Sequence, residues 1–254
     1  MTVEPRLFLD TPLAQGQTVT LDKDQAHYLL TVMRRKLGDG VRVFNGREGE
    51  WRAEVSEASR RSASLHIKSQ SRPQYAVPDM ALYFAPVKKA RTDFIVEKAT
   101  ELGVASITPV MTARTIADRV KTERLEALVR EAAEQTERLD LPSVHEPVSL
   151  TALLKGWSPD RALIFADEAG DETGAPWGGE QGRAKPIAKA LASHARDPFA
   201  LIVGPEGGFA PEERQLLRGQ SFVVRVSLGP RILRADTAVV AALSVWQSVV
   251  GDWS

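Results

Sequence analysis

Two rhythms of apolar residues divide the chain. Up to residue 72 the apolar runs are short. Arg6–Leu9 and Thr18–Leu21 are brief extended runs, Val41–Phe44 is apolar, and Glu50–Val55 and Ala63–Ile67 alternate with the period of two expected of half-buried strands. One helix interrupts them, with Tyr28, Leu29, Val32 and Met33 on one face and Asp22 or Asp24 as its cap. Asn45-Gly46 is a hairpin turn signal. Together these predict a small β-barrel or half-barrel. The polar, proline-containing stretch SQSRPQYAVPD (69–79) reads as a linker.

Beyond it the runs become continuous. Met80–Phe84, Ser106–Val110, Ala162–Ala166, Ala200–Val203 and Phe222–Leu228 read as buried strands. Helical spacing falls between and after them: Thr92–Leu102 with Gly103 as C-cap, Thr122–Ala133, a helix from Ile187, Pro211–Leu217 and Thr237–Val250. Such alternation predicts an α/β fold with a parallel sheet covered on both faces. The domains expected are 1–72 and 73–254. Residues 168–186, with five glycines and two prolines, read as a surface loop without chemistry.

Composition narrows the classes. With 43% hydrophobic and 26% charged residues the chain is an ordinary globular one, not a disordered one. The absence of cysteine excludes disulfide scaffolds, thiolate metal sites and cysteine nucleophiles, and His27, His66, His145 and His194 lack ligand spacing, so no metal is expected. The longest strongly apolar stretch, Ala238–Trp246, is about half of the ~20 residues that span a bilayer, and the first residues lack a secretion signal. A cytoplasmic protein without a membrane partner is expected.

A net charge of zero argues at first against nucleic acid. The charge is unevenly placed, however. Residues 1–72 hold 12 Lys/Arg and 9 Asp/Glu, and residues 34–72 hold ten basic side chains, among them Arg34, Arg35, Arg60 and Arg61, against five acidic ones. These can form a phosphate-contacting patch or a solvated surface in which Arg34 to Lys36 answer a helix C-terminus.

Two loops carry the candidate chemistry. In the first, a buried strand ending at Val203 runs into Gly204-Pro205-Glu206-Gly207-Gly208, and a helix opens at Pro211 with Glu212 and Glu213 in its first turn. Glycines at a strand's carboxyl end expose backbone N–H and C=O groups to a ligand, and open α/β sheets bind ligands there. The motif is neither a Walker loop nor a G-x-G-x-x-G fingerprint, and Glu206 would repel phosphate, so a cationic ligand or a nucleoside fits better. In the second, an adjacent strand ends in Leu228-Gly229-Pro230-Arg231-Ile232-Leu233-Arg234-Ala235-Asp236-Thr237, with Asp236 or Thr237 as cap of the last helix.

LIVGPEGGF (201–209) together with LGPRILRADTA (228–238) resembles the paired motifs of RsmE-type 16S ribosomal RNA (uracil N3) methyltransferases of the SPOUT superfamily. RLFLD (6–10), the segment His27–Gly46, KKARTDFIVEKATELGVASITPV (88–110) and AAEQTERLDLP (132–142) agree in order and spacing. The resemblance implies a PUA-like β-barrel, a C-terminal SPOUT domain tied in a trefoil knot, S-adenosylmethionine as cofactor, a homodimer, and a uridine of 16S ribosomal RNA in the small subunit as substrate. It implies cofactor binding by Val203, Gly204, Glu206, Gly207, Gly208, Leu228, Gly229, Pro230, Leu233 and Thr237. It also implies RNA contact by Lys88, Lys89 and Arg91, with Gln135 and Arg138 on the substrate side. Three positions depart from the family: Ala210 where Ser or Thr is frequent, Glu137-Arg138 for Gly-Arg, and Ala235-Asp236 for Thr-Glu.

Uracil N3 holds its proton with a pKa near ~9–10, comparable to tyrosine's. Methylation there needs that proton removed and the charge on the ring stabilised. Arg231 or Arg234 can stabilise it, and Asp236 can serve as base or orient an arginine. Glu206 can face a sulfonium or fix the glycine loop. Other outcomes compatible with the motifs are a SPOUT enzyme acting on a ribose 2′-hydroxyl or another base, and a non-catalytic RNA-binding assembly factor.

Overall fold

The computed structural model describes residues 4–59, 62–116, 120–167, 184–194 and 198–253. Arg60, Arg61 and most of the 168–186 loop lie outside the described residues. The chain forms two units, one comprising residues 1–76 and 130–141, the other 77–129 and 142–254. The first unit thus extends past residue 72 and takes in Arg130–Leu141, which a linear split does not include.

In the first unit, β1 (Arg6–Phe8), β2 (Thr18–Thr20), β3 (Gly40–Phe44), β4 (Glu50–Ala58) and β5 (Ala63–Arg72) form a curled sheet in the order β1-β3-β4-β5-β2, parallel only between β1 and β3. Three register shifts between β4 and β5 bend these strands. Leu7, Val41, Val43, Val55, Leu65 and Ile67 fill the concave side. Asp22 caps the short helix α1 (Lys23–His27) in a capping box with Gln25. Ser69–Arg72, read as linker, continue β5 because they pair with Glu50–Arg52. Asn45-Gly46 opens a five-residue loop, not a two-residue turn, since buried Asn45 donates to the Thr11 carbonyl and accepts from the Arg47 and Glu48 amides. Gly49 closes that loop at φ +77°, where a Cβ would run into the backbone of Arg72 and Pro73.

A buried charge network explains why Arg130–Leu141 belongs here. The Arg6 guanidinium lies over the Phe44 ring, pairs with Glu50 at 2.8 Å, and donates to the carbonyls of Ala133 and Arg138 at 2.8 and 2.9 Å. Arg72 donates to the same Glu50 carboxylate at 2.7 Å, and Ser71 adds a third donor. Burial alone would raise the Glu50 pKa, but the hydrogen bonds from Arg72, Arg6 and Ser71 outweigh it and hold the carboxyl at about 2.

The second unit is built on a parallel sheet of β6 (Met80–Phe84), β7 (Ser106–Met111), β8 (Ser143–Val144), β9 (Val148–Ser149), β10 (Ala162–Ala166), β11 (Lys185–Pro186), β12 (Phe199–Val203) and β13 (Val223–Ser227). The order is β11-β13-β10-β12-β6-β7-β8, with β9 also on β7. Every residue of β12 is buried, as a central strand covered on both faces requires. Ala200 and Ile202 pack with Leu150 and Leu154 of α4 (Leu150–Lys155) and Leu217 of α6 (Pro211–Arg218). On the other face Phe199 meets Trp246 of α7 (Ala235–Val249), which packs against α2 (Lys89–Glu101) and α5 (Ile187–Leu191). Helix α3 (Thr122–Gln135) contains the division between the units.

Candidate active site

The carboxyl ends of β6, β7, β12 and β13 carry the loops of interest. The two glycine loops do not follow adjacent strands, as the sequence led us to expect: β10 pairs with both β12 and β13 and lies between them.

Pro205–Gly208 is a tight turn closed by the Gly208 amide on the Pro205 carbonyl at 2.8 Å, with Gly208 at φ +67°. Glu206, Gly207 and Gly208 are exposed, so the turn presents bare backbone. Arg114, from the loop after β7, donates to the Gly207 carbonyl at 2.8 Å. Pro211 opens α6 as expected. Its N-cap Ala210 has extended backbone but no side-chain acceptor, and only half of a capping box is made: Glu213 accepts from the Ala210 amide at 2.9 Å and from the Ala113 amide at 2.8 Å. Ala210→Ser should supply the missing half and raise stability by about 1 kcal/mol, seen as a rise in Tm of roughly 2–4 °C. An unchanged or lower Tm would count against this reading of the cap.

In the second loop Gly229 sits at φ +118°. Helix α7 begins at Ala235, one residue before the expected caps. Arg234 is its N-cap, and Asp236 lies inside the first turn, accepting from the Thr237 amide at 2.9 Å. The reason is burial: Ala235 is inside the core and starts the apolar face that runs through Ala238, Val239 and Ala242. Arg231 and Arg234 are exposed and make no ion pair among the described residues. Leu228 and Leu233 are half-buried, and Thr237 is exposed.

The structure brings the two loops together through Arg91 of α2. Expected to face RNA, it instead pairs with Glu206 of the first loop and lies 3.9 Å from the Asp236 carboxylate. Lys88 and Lys89 are exposed just before it. Arg138, expected on the substrate side, is buried in the first unit with its guanidinium on Asp140 at 2.9 Å, whereas Gln135 is exposed. Arg34 is exposed at φ +53° beyond the first helical segment, and Arg35 is half-buried. Arg42, Lys68 and Arg72, counted in the basic surplus, are engaged by Glu137, Glu54 and Glu50.

Sequence reasoning missed Arg114 and the buried Asp167 at the end of β10, and it placed Glu213 in the first turn without its bonds to the Ala210 and Ala113 amides. Asp167 accepts from Arg214, Arg218 and Arg225 at 2.7–2.9 Å, tying α6 and β13 to β10. Burial alone would raise its pKa, but the hydrogen bonds from Arg218 and Arg214 hold it below the usual value. Only the alignment of charged residues around apolar strands could have signalled this group. Beside the first loop, a cavity of about 540 Å³ opens over the ends of β6 and β7, with Lys88, Arg114, Lys121, Pro205 and Glu206 in its wall. Among the described residues, no helix is long and apolar enough to cross a membrane, and no group of three or more His, Asp or Glu could hold a metal ion.

Residues 74–247 match the RNA methyltransferase domain, and residues 21–68 match the RNA methyltransferase PUA domain. The chain is 31% identical over 240 residues to the ribosomal RNA small subunit methyltransferase E of Rickettsia conorii, covering 94% of this chain and 93% of that one. Among solved structures, it is similar to a Legionella pneumophila protein in complex with the bound cofactor SAM (TM-score 0.82, 28% identity, 99% of this chain and 100% of that one). It is also similar to the Neisseria gonorrhoeae ribosomal RNA small subunit methyltransferase E bound to S-adenosyl methionine (TM-score 0.80, 27% identity, the same coverage). The chain belongs to the ribosomal RNA small subunit methyltransferase E family of RNA methyltransferases.

Proposed function

We propose that the chain transfers a methyl group from S-adenosylmethionine to N3 of a uridine in 16S ribosomal RNA. The observation that carries this reading is the pair of loops joined through Arg91, with Glu206 and Asp236 on either side of it. The donor set suits the cofactor. Exposed backbone at Gly207, Gly208 and Gly229 can read an adenine edge, and Leu228 and Leu233 offer partly open apolar surface. Val203, Gly204, Pro230 and Thr237 complete that binding site.

S-adenosylmethionine supplies an activated methyl group on a sulfonium. The protein must bring N3 in line with it and take the N3 proton. Asp236 accepts that proton. Arg234, with Arg231 beside it in the loop, donates to the uracil oxygens as negative charge develops, and the amino-terminal end of α7 adds a favourable dipole. Arg91 is a positioning residue that holds both carboxylates.

RNA is met by Arg34 and Arg35 on the PUA-like unit and by Lys88, Lys89 and Gln135; the charge of Arg138 is taken by Asp140, and it is left out. The strip Val240, Ala241, Ser244 and Val245 of α7 is half-exposed and apolar enough to be covered by a second copy in a homodimer. The setting is the small ribosomal subunit in the cytoplasm.

The reading is tested with labelled S-adenosylmethionine and small subunits from a strain lacking the modification. Methyl incorporation into the RNA supports it, and no incorporation by folded protein overturns it in favour of a non-catalytic factor.

A further inference from the structure

The cavity beside the first glycine loop is not accounted for by the chemistry above. Its lining includes the apolar Val87, Ile116, Val120 and Leu125, and Ile116 is 83% exposed. Cations line it as well. Lys88, Lys89 and Lys121 make no ion pair among the described residues, and Arg114 donates only to a carbonyl. Arg124 is paired with Asp93, and Glu206, the one carboxylate of the wall among the described residues, is paired with Arg91. Among the described residues the cavity therefore carries a surplus of positive charge beside apolar side chains.

That combination selects against a sulfonium-bearing cofactor, which the charge would repel. It selects for a ligand with a flat apolar body and an attached anion. The volume of about 540 Å³ is in the range of sites that enclose small ligands, ~300–1,000 Å³. Among the described residues none of the Leu228–Thr237 loop lines it, so Arg231, Arg234 and Asp236 do not form its wall. Yet Glu206 is shared: it forms part of the cavity wall and, through Arg91, reaches the loop that carries Asp236. The cavity is thus next to the reacting centre but distinct from it.

We propose that this cavity holds a nucleotide neighbouring the methylated uridine. Its base stacks on Ile116 and Val87, and its phosphate rests on Lys121 and Lys88. Holding a neighbour there would draw the target base out toward the second loop and make methylation depend on local sequence. The ordered turn before Ile116 suits this. Thr112 and Thr115 bond to each other through their hydroxyls at 2.8 Å, and the Thr112 amide donates to the Thr115 hydroxyl at 3.0 Å, which fixes the approach to the cavity. This inference rests on the methyltransferase reading.

The test places a photoreactive benzophenone amino acid at position 116 of the full-length protein, bound to small subunits lacking the modification. Cross-linked and methylated nucleotides are mapped on the same RNA. The expected result is a cross-link one or two nucleotides from the uridine that the wild-type protein methylates. In parallel, Lys121→Ala should raise KM for subunits about tenfold with kcat and S-adenosylmethionine affinity unchanged, the pattern of a lost phosphate contact. A cross-link on the methylated uridine itself, a distant cross-link, or none while methyl transfer proceeds overturns the assignment of the cavity alone. An absence of methyl transfer by the wild-type protein overturns the enzymatic reading and the cavity assignment with it.

Discussion

Arg234→Ala is expected to lower kcat about 10²–10³-fold, the effect of removing one fixed donor from a developing oxyanion, while the dissociation constant for S-adenosylmethionine stays within about twofold. Three arginines approach the second loop. Arg91 is engaged by Glu206 and lies near Asp236, so its charge is largely used. Arg231 sits on exposed loop. Arg234 is anchored at the N-cap of α7, its carbonyl accepting from the Ala238 amide at 2.7 Å, and its side chain makes no ion pair among the described residues. It is a cation on a rigid mount. Equal losses in kcat and cofactor affinity would show that Arg234 serves the cofactor instead.

The second large effect is on stability. Glu50→Gln leaves Arg6 buried without a counter-charge, and removal of one partner from a buried pair costs about 3–5 kcal/mol. Urea unfolding should show that loss, and a change under about 1 kcal/mol would contradict it. The pH dependence follows from the same group. The Glu50 carboxyl is held at about 2 in the fold against an ordinary value of 4.5. A lowered folded-state pKa means that the ionised form stabilises the fold, by about 3 kcal/mol above pH 4.5. That contribution is lost as pH falls from 4.5 through about 2. Glu137 and Asp167 are shifted the same way, so Glu50→Gln should reduce the acid sensitivity without abolishing it.

Much of this was legible in the residues. The uninterrupted apolar run of β12 marks a strand buried on both faces, Pro211 marks the first turn of α6, and Asp22 marks the start of α1, because each follows from local sterics or a nearby partner. The two glycine loops were legible for the same reason. What escaped are relations between distant residues. Nothing near Arg6 announces that it will reach the carbonyls of Ala133 and Arg138, so the linear division at residue 72 omits the segment that completes the first unit. Insertion of β10 between β12 and β13 is a matter of crossover, not of pattern. Arg91 reads as a surface cation until α2 is set beside Glu206 and Asp236. Arg138 reads the same way until Asp140 is seen to hold it. The family resemblance supplied the chemistry, and the fold then reassigned several of the charges.

The neutral overall charge also takes on a definite form. Several cations of the basic N-terminal stretch are consumed by Glu50, Glu54 and Glu137. Arg34, Lys36 and Arg52 make no ion pair among the described residues, and Lys88, Lys89 and Lys121 stand likewise on the second unit. Such a surface recognises RNA by a few placed contacts and by shape, not by a broad basic field.

The most direct test of the central claim is the position of the transferred methyl group. Small subunits lacking the modification are incubated with the protein and labelled S-adenosylmethionine, and the RNA is digested to nucleosides and analysed by mass spectrometry. The account predicts label in 3-methyluridine at a single site of 16S ribosomal RNA; label on a ribose 2′-hydroxyl or on another base would contradict it.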